Sequence, residues 1–561
     1  MKHKSLSVML ASLALVPMVL AAPGKTMYQY IGWDAAFWPK GWPVKAENYR
    51  KFSWSGRGGG SLEALMSRCK TDIDTIVFSP VFSFGSIAGN LKSAEYVKHQ
   101  PDPKSRFLAG MKNGMPELIA AGTDPIAETI KFCREYKKEV IVSMPLNFNQ
   151  NHGLRPDPDH THNSWHCYLY PTFKLKHPEL LMNGGDEATS CPYGGGHLVD
   201  FGKDAVIEKF VANTTEILGK YDLDGMMIDF MMTSPVIFAT VAKGGTAEAK
   251  EVAKLTAMMQ KIQAAVKAAS TRLGHPVTFS ARVPDSVGYC KDIGIDLVAW
   301  LEAKMFDFVV FGGRFQLNPW KVTGDLMAKY QIPYYADFGV TGIYVGNDSG
   351  YPGDDERLPR MFIDANCHRA RIAEALEAGV AGCVYTQAGH HELGGIHFNS
   401  IAPFDAKQNR LGDKRYFTTY TNTRLAGNAL KDGMKHATVD VLLSSSPEDL
   451  AKGIAKHKIY VYDDFVALKR EGIEPKLTLV TEVSIPSGME TIVAFNGKEL
   501  KSFKKRSGTQ LYELPVALVK HGANDVVVKS KGKNKRGETA KLGNIAVEVH
   551  FPKADKKEGG K

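Results

Sequence analysis

Eight short apolar runs, each followed by a helical stretch, constrain this chain more than any other feature. They are Met27–Asp34, Thr75–Phe82, Val140–Phe148, Gly225–Phe230, Val277–Val283, Asp307–Phe311, Pro333–Phe338 and Cys383–Gln387. All are rich in Val, Ile, Phe and Tyr and apolar on both faces, which is the pattern of parallel strands covered on each side. Between them lie amphipathic stretches. In Asp204–Tyr221 the residues Val206, Phe210, Ile217, Leu218 and Tyr221 hold one face, and Ala247–Leu273 and Met361–Leu376 behave alike. The alternation predicts an α/β fold, a (β/α)8 TIM barrel with insertions. No Gly-rich phosphate fingerprint follows the first run, which weighs against a doubly wound open sheet.

Chemistry-bearing side chains gather at the C-terminal ends of these runs, the end of a barrel where sites sit. Tyr221-Asp-Leu-Asp-Gly-Met-Met-Ile-Asp-Phe-Met231 delivers Asp229 at the end of the fourth run, on the same face as Met227 and Met231. Asp224, at the opposite end, reads as a turn residue. Asp337 ends the seventh run, across the mouth from the fourth. Two carboxylates so placed are the minimum apparatus of glycoside hydrolysis, one protonating the leaving oxygen and the other attacking or activating water. The bland alternatives are a salt bridge from Asp229 to Arg282 and a turn role for Asp337. Arg282 ends the fifth run, where its fork either holds a substrate group or fixes the charge of Asp229.

The candidate substrate-binding set is Asp34, Asn147, Asn149, His152, Arg282, Gln387, His391, Trp33 and Trp38. The amides suit sugar hydroxyls. The tryptophans suit the apolar faces of sugar rings, although a tryptophan equally well fills a loop core. Histidines cluster in the loop after the third run and after the eighth, but at irregular spacing, so no metal is expected. No cofactor is expected either.

A chain of 561 residues is too long for one ordinary core. After about residue 425 short strand-length runs separated by Gly, Asn and Lys turns predict an all-β sandwich. The expected division is a barrel over 27–425, a linker over 426–456 with a short helix at Ser444–Lys452, a sandwich over 457–553 and a basic tail over 554–561. Lys2 and Lys4 precede an apolar stretch, Leu6–Leu20, and then Ala21 and Ala22. This reads as a signal peptide over 1–21, and hence a secreted or periplasmic protein. No other run is long enough to span a membrane. Of seven cysteines, only Cys167 and Cys191 look placed to pair. The net charge of +10 is concentrated late, as in Lys529-Ser-Lys-Gly-Lys-Asn-Lys-Arg536. It reads as a solvated loop or as a contact for anionic glycan. Export and the lack of interleaved aromatics argue against nucleic acid.

Phe173-Lys-Leu-Lys-His-Pro-Glu-Leu-Leu181, Val199-Asp-Phe-Gly-Lys-Asp204 and Tyr221–Met231 resemble segments of secreted family-10-like glycosyl hydrolases. So do Arg282-Val-Pro284 with Ile293-Gly-Ile-Asp-Leu297, and Gly412-Asp-Lys-Arg-Tyr416. The resemblance covers residues 27–420 and implies a hydrolase barrel acting on polysaccharide or oligosaccharide, with a C-terminal sandwich. Two departures stand out. Relatives often carry Arg where Met232 or Thr233 stands, and better-studied ones use Glu where Asp229 and Asp337 stand. A shorter acid moves the carboxylate, and about 1 Å of misplacement can cost roughly 100-fold in rate. The expected function is therefore an exported glycoside hydrolase. The alternative is a non-catalytic glycan-binding or envelope-scaffold protein built on a degenerate barrel.

Overall fold

The computed structural model describes residues 25–31, 38–51, 73–96, 98, 100, 111–147, 171–182, 198–232, 236–312, 316–338, 365–386, 414–418, 420–422, 434–436, 441–443, 448–450, 453–506, 508–532 and 534–552. The chain is mixed α/β, with one curled parallel sheet followed by separate antiparallel sheets. The parallel strands are β1 (Lys25–Ile31), β2 (Thr75–Ser79), β3 (Glu139–Pro145), β4 (Gly225–Asp229), β5 (Thr278–Val283), β6 (Phe308–Gly312), β7 (Tyr334–Asp337) and β8 (Gly382–Thr386). Each pairs in parallel with its sequence neighbours, and β1 pairs with both β2 and β8, so the pairing runs all the way round.

Both faces of these strands are buried, for different reasons. One set of alternate residues (Met27, Val77, Ile141, Met227, Phe308, Val310, Tyr335 and Val384) forms an apolar plug inside the ring. The other set packs outward on helices, among them α1 (Pro125–Glu135), α2 (Asp204–Lys220), α3 (Ala249–Leu273), α4 (Trp320–Tyr330) and α5 (Ala365–Glu377). Local signals set their ends. Asp124 caps α1 by accepting from the N–H groups of Ile126 and Ala127. A reciprocal Glu248/Glu251 box opens α3, and Gly274, left-handed at φ +74°, closes it. At the N-terminal end of the ring Asp224 accepts from Arg134 at 2.5 Å and from the Val140 N–H at 2.6 Å, the turn role expected of it.

The C-terminal strands β9 (Lys414–Thr418), β10 (Ile454–Val461), β11 (Lys476–Ser484), β12 (Met489–Phe495), β13 (Lys498–Leu500), β14 (Ser502–Arg506), β15 (Thr509–Glu513), β16 (Gly522–Gly532) and β17 (Lys541–His550) form two antiparallel sheets. Their orders are β9-β17-β11-β15-β14 and β10-β16-β12-β13. Leu477, Leu479, Ile545 and Val547 of the first meet Ile459, Phe495, Val526 and Val528 of the second in one core. Two expectations are corrected here. Lys414–Thr418, expected within the barrel segment, is hydrogen-bonded to β17 in this sheet. The linking helix expected at Ser444–Lys452 is not formed at Glu448–Asp449, which instead pair with β17 as a short strand. Ala370 of α5 joins the sandwich core, so the sheets dock on the last described barrel helix. Cys133, Cys290 and Cys383 are buried, as expected of small apolar side chains, while Cys167 and Cys191 lie outside the described residues. Among the described residues no helix is long and apolar enough to cross a membrane.

Candidate functional site

Above the apolar plug the inner faces of five strands carry polar groups, and these meet. Gln29 on β1 shares the parity of Met27, Ser143 on β3 that of Ile141, and Asp229 on β4 that of Met227. Arg282 lies in register with Asp229, and Val310 of the plug lies in register with Arg282. Asp337 is two residues beyond the plug residue Tyr335. The strand alternation alone therefore aims all five side chains inward at one level.

Their geometry is tight. Arg282 Nε donates to Asp229 Oδ1 at 2.8 Å and Nη2 to Asp229 Oδ2 at 2.6 Å, a bidentate fork. Its Nη1 reaches Asp337 Oδ2 and Gln29 Oε1, both at 2.8 Å. Gln29 Nε2 turns back to Asp229 Oδ2 at 3.2 Å, where Ser143 Oγ also donates at 3.2 Å. The N–H of Met231 completes the set at 2.9 Å from Asp229 Oδ1. The Met232 sulfur lies 3.4 Å from Gln29 Nε2 and 3.5 Å from Arg282 Nη2. The side chains of Arg282 and both acids are no more than 1% exposed. Burial alone would pull the Arg282 guanidinium down, but the two carboxylates outweigh it and hold its pKa above the ordinary arginine value.

A second buried group stands at the same end of the ring. The Asp285 carboxylate accepts from the N–H groups of Leu317 and Asn318 at 2.8 Å each, tying the segment after β5 to the segment after β6. Burial pushes this carboxyl up to about 6 despite those hydrogen bonds. On the segment between β3 and α2, burial pushes the Lys174 amine down to about 7.

The structure brings Asp229, Asp337 and Arg282 together, and Arg282 takes the charge-fixing role, on both acids at once. Two other candidates are corrected. Asn147 is buried, and its amide is engaged by backbone: Nδ2 donates to the carbonyls of Val199 and Val236 at 3.0 Å, and Oδ1 accepts from the Val199 N–H at 3.1 Å. It fastens two loop segments and does not offer its amide to a sugar. Trp38 is fully buried against Gly114, where an added Cβ would lie 2.3 Å from the indole. Trp38 fills a loop core. Trp33, Asp34, Asn149, His152, Gln387 and His391 lie outside the described residues. Sequence reasoning missed Gln29, Ser143 and Met232. The first two were detectable as polar residues at inward parity in apolar strands, the signal that singled out Asp229.

No protein-family model matches the chain, and no curated protein matches it. Solved structures do align with it. One is the α-L-fucosidase isoenzyme 2 of Paenibacillus thiaminolyticus, at 9% identity and a TM-score of 0.41, over 91% of this chain and 100% of that one. A family GH18 chitinase of Chromobacterium violaceum aligns at 12% identity and a TM-score of 0.33, over 95% and 89%. A cycloisomaltooligosaccharide glucanotransferase of Paenibacillus sp. aligns at 10% identity and a TM-score of 0.30, over 93% of this chain but only 57% of that one. Likenesses of this size bear on neither substrate nor site.

Proposed function

We propose that the chain is an exported glycoside hydrolase that cleaves a polysaccharide or oligosaccharide at the mouth of the parallel ring, with Asp229 and Asp337 as its carboxylate pair. One observation carries the reading: acids from β4 and β7 end at one level and are joined through a single guanidinium. Glycoside hydrolysis needs two carboxyl groups about 5–5.5 Å apart for retention or about 6.5–9.5 Å apart for inversion. A positive group held between such acids also keeps them from repelling one another between turnovers. The apolar plug beneath them gives the reacting centre a dry floor, where charge interactions are stronger than in water. Export rests on the charged and apolar opening of the sequence.

A second reading has its own observation. Both oxygens of Asp229 are fully engaged by Arg282, Gln29, Ser143 and Met231. A carboxylate held so completely suits a scaffold or a glycan-binding barrel as well as a catalyst. The two readings separate in one experiment: incubate the purified protein with a panel of polysaccharides and follow both affinity and reducing-end release. The hydrolase reading expects new reducing ends from at least one member. Affinity without product after prolonged incubation overturns it in favour of the binding reading.

A further inference from the structure

We propose that Ser79 is a ligand-binding residue: its hydroxyl, buried at the mouth of the ring one strand from Ser143, takes a hydroxyl of the bound glycan. The inference rests on the hydrolase reading for the class of ligand and adds a contact that the acid pair does not supply.

Strand parity places it. Val77 of β2 belongs to the apolar plug, while Ile76 and Phe78 pack outward against the helices. Ser79, two residues beyond Val77, therefore faces inward at the C-terminal end of its strand, the end of a barrel where ligands are met. The pairing of Phe78 with Val142 brings Ser79 next to Ser143 on β3, and Ser143 Oγ donates to Asp229. Gln29, Ser143, Asp229, Arg282 and Asp337 are linked to one another by hydrogen bonds. Ser79 stands at the same end of the ring and outside that network. It is 0% exposed, and its Oγ has no hydrogen-bond partner.

A buried hydroxyl left unbonded forfeits the hydration it had in the unfolded chain, and such a group in a native protein demands a reason. Its immediate surroundings offer little. Pro80 follows it and has no N–H, and the Pro80 carbonyl accepts from the Ala88 N–H at 2.7 Å. The short hairpin that continues the chain, Val81–Ser83 with Ser86–Ile87, is itself anchored. Phe84 at its tip packs on Phe173 and Phe201 at ring-centroid distances of 5.7 and 5.9 Å. Among the described residues Ser93, Thr323 and Thr481 also bury an unbonded hydroxyl, but none of them lies on a strand of the ring. A serine hydroxyl both donates and accepts, which matches a sugar hydroxyl, itself donor and acceptor. Because Ser79 is shut off from water, a ligand reaches it by displacing side chains at the mouth. The bond then forms where it is stronger than in water.

Ser79→Ala in the full chain tests the proposal, with laminarin, xylan, chitosan, alginate and pectin as probes. Thermal unfolding is followed without glycan, and affinity and reducing-end release are followed with it. Removing an unbonded hydroxyl should leave the barrel melting at or above the wild-type temperature. On the glycan that wild type recognises, kcat/KM, or affinity where only binding is seen, should fall about 5–10-fold, the scale of one hydrogen bond. Monodeoxy versions of the recognised oligosaccharide complete a cycle. The one lacking the contacted hydroxyl should serve wild type and Ser79→Ala equally, within about twofold. If every deoxy sugar loses as much on Ser79→Ala as on wild type, the hydroxyl makes no contact and the proposal falls. A barrel that melts lower by more than about 2 °C without glycan overturns it as well, because the hydroxyl is then bonded to a buried structural water. Unchanged affinity and turnover also overturn it, and product release by the wild type then leaves the hydrolase reading standing. Affinity without product defeats the hydrolase reading alone, and the Ser79 contact is judged by affinity. A wild type that neither binds nor cleaves any of these polysaccharides overturns both.

Discussion

Replacing Arg282 with Met is the most demanding test of the buried cluster. The side chain keeps roughly the volume of the arginine stem and removes its charge. At least four hydrogen bonds to oxygen disappear, two to Asp229 and one each to Gln29 and Asp337. Two carboxylates, each no more than 1% exposed, lose the guanidinium that joins them. Removing one partner of a buried ion pair typically costs about 3–5 kcal/mol, because the other charge is stranded. Here two acids are stranded, but each escapes part of the cost by taking up a proton. A loss of about 3–5 kcal/mol at neutral pH follows from that range. At about 2 °C per kcal/mol for a large domain, the barrel transition should fall by roughly 6–10 °C. Calorimetry resolves it, provided the barrel and sandwich transitions are fitted separately. Arg282→Lys, which keeps the charge but loses the fork, should fall between the two. A shift under about 2 °C for Arg282→Met would refute the claim that this guanidinium holds the acids together.

Three further outcomes are expected. Gly312→Ala forces a side chain into a positive-φ position beside Asp337 and should cost about 1–2 kcal/mol in thermal unfolding, with a larger proportional loss of turnover than of stability. The Asp285 carboxyl, raised by burial from 3.8 to about 6, binds more protons folded than unfolded. Stability should therefore fall by roughly 3 kcal/mol as pH rises from about 4 to 6 and then level off. Asp285→Asn should flatten that slope in a pH series of melting temperatures, and an unchanged slope would count against it. Replacing Lys529, Lys531, Lys533 and Lys535 with Gln should weaken retention on an acidic polysaccharide at low salt and leave the barrel transition unmoved. Retention that ignores both the substitutions and salt would leave these lysines as solvated surface.

The parallel strands were legible because each run had to be apolar on both faces, a demand that few other structures make. Parity along β4 sufficed to aim Asp229 inward, and the same arithmetic would have found Gln29 and Ser143. They were missed because an uncharged polar residue in a strand raises less alarm than an acid. Lys414–Thr418 was misread because Lys-Arg-Tyr-Phe-Thr has no signal for which of two sheets will accept its backbone. Its pairing with β17 is set by residues more than a hundred positions away. Trp38 and Asn147 failed as sugar contacts for one reason. A side chain suited to a ligand is equally suited to a neighbouring loop, and only tertiary packing decides which it meets. The pairing of Arg282 with both acids had the opposite character. Asp229 and Arg282 were visible as neighbours, but the reach of the same fork to β7 depends on the curl of the sheet.

If a glycosidic bond is broken at this cluster, its cleavage depends on the Asp337 carboxylate, and turnover by Asp337→Asn reads that dependence. The variant keeps the shape of the side chain and removes the carboxylate, so it is to be compared with wild type on the first polysaccharide that yields product, at equal melting temperature. Reducing-end release should fall by at least about 1,000-fold, the scale of losing a catalytic carboxylate, while glycan affinity persists. Product formation by Asp337→Asn at the wild-type rate would contradict it.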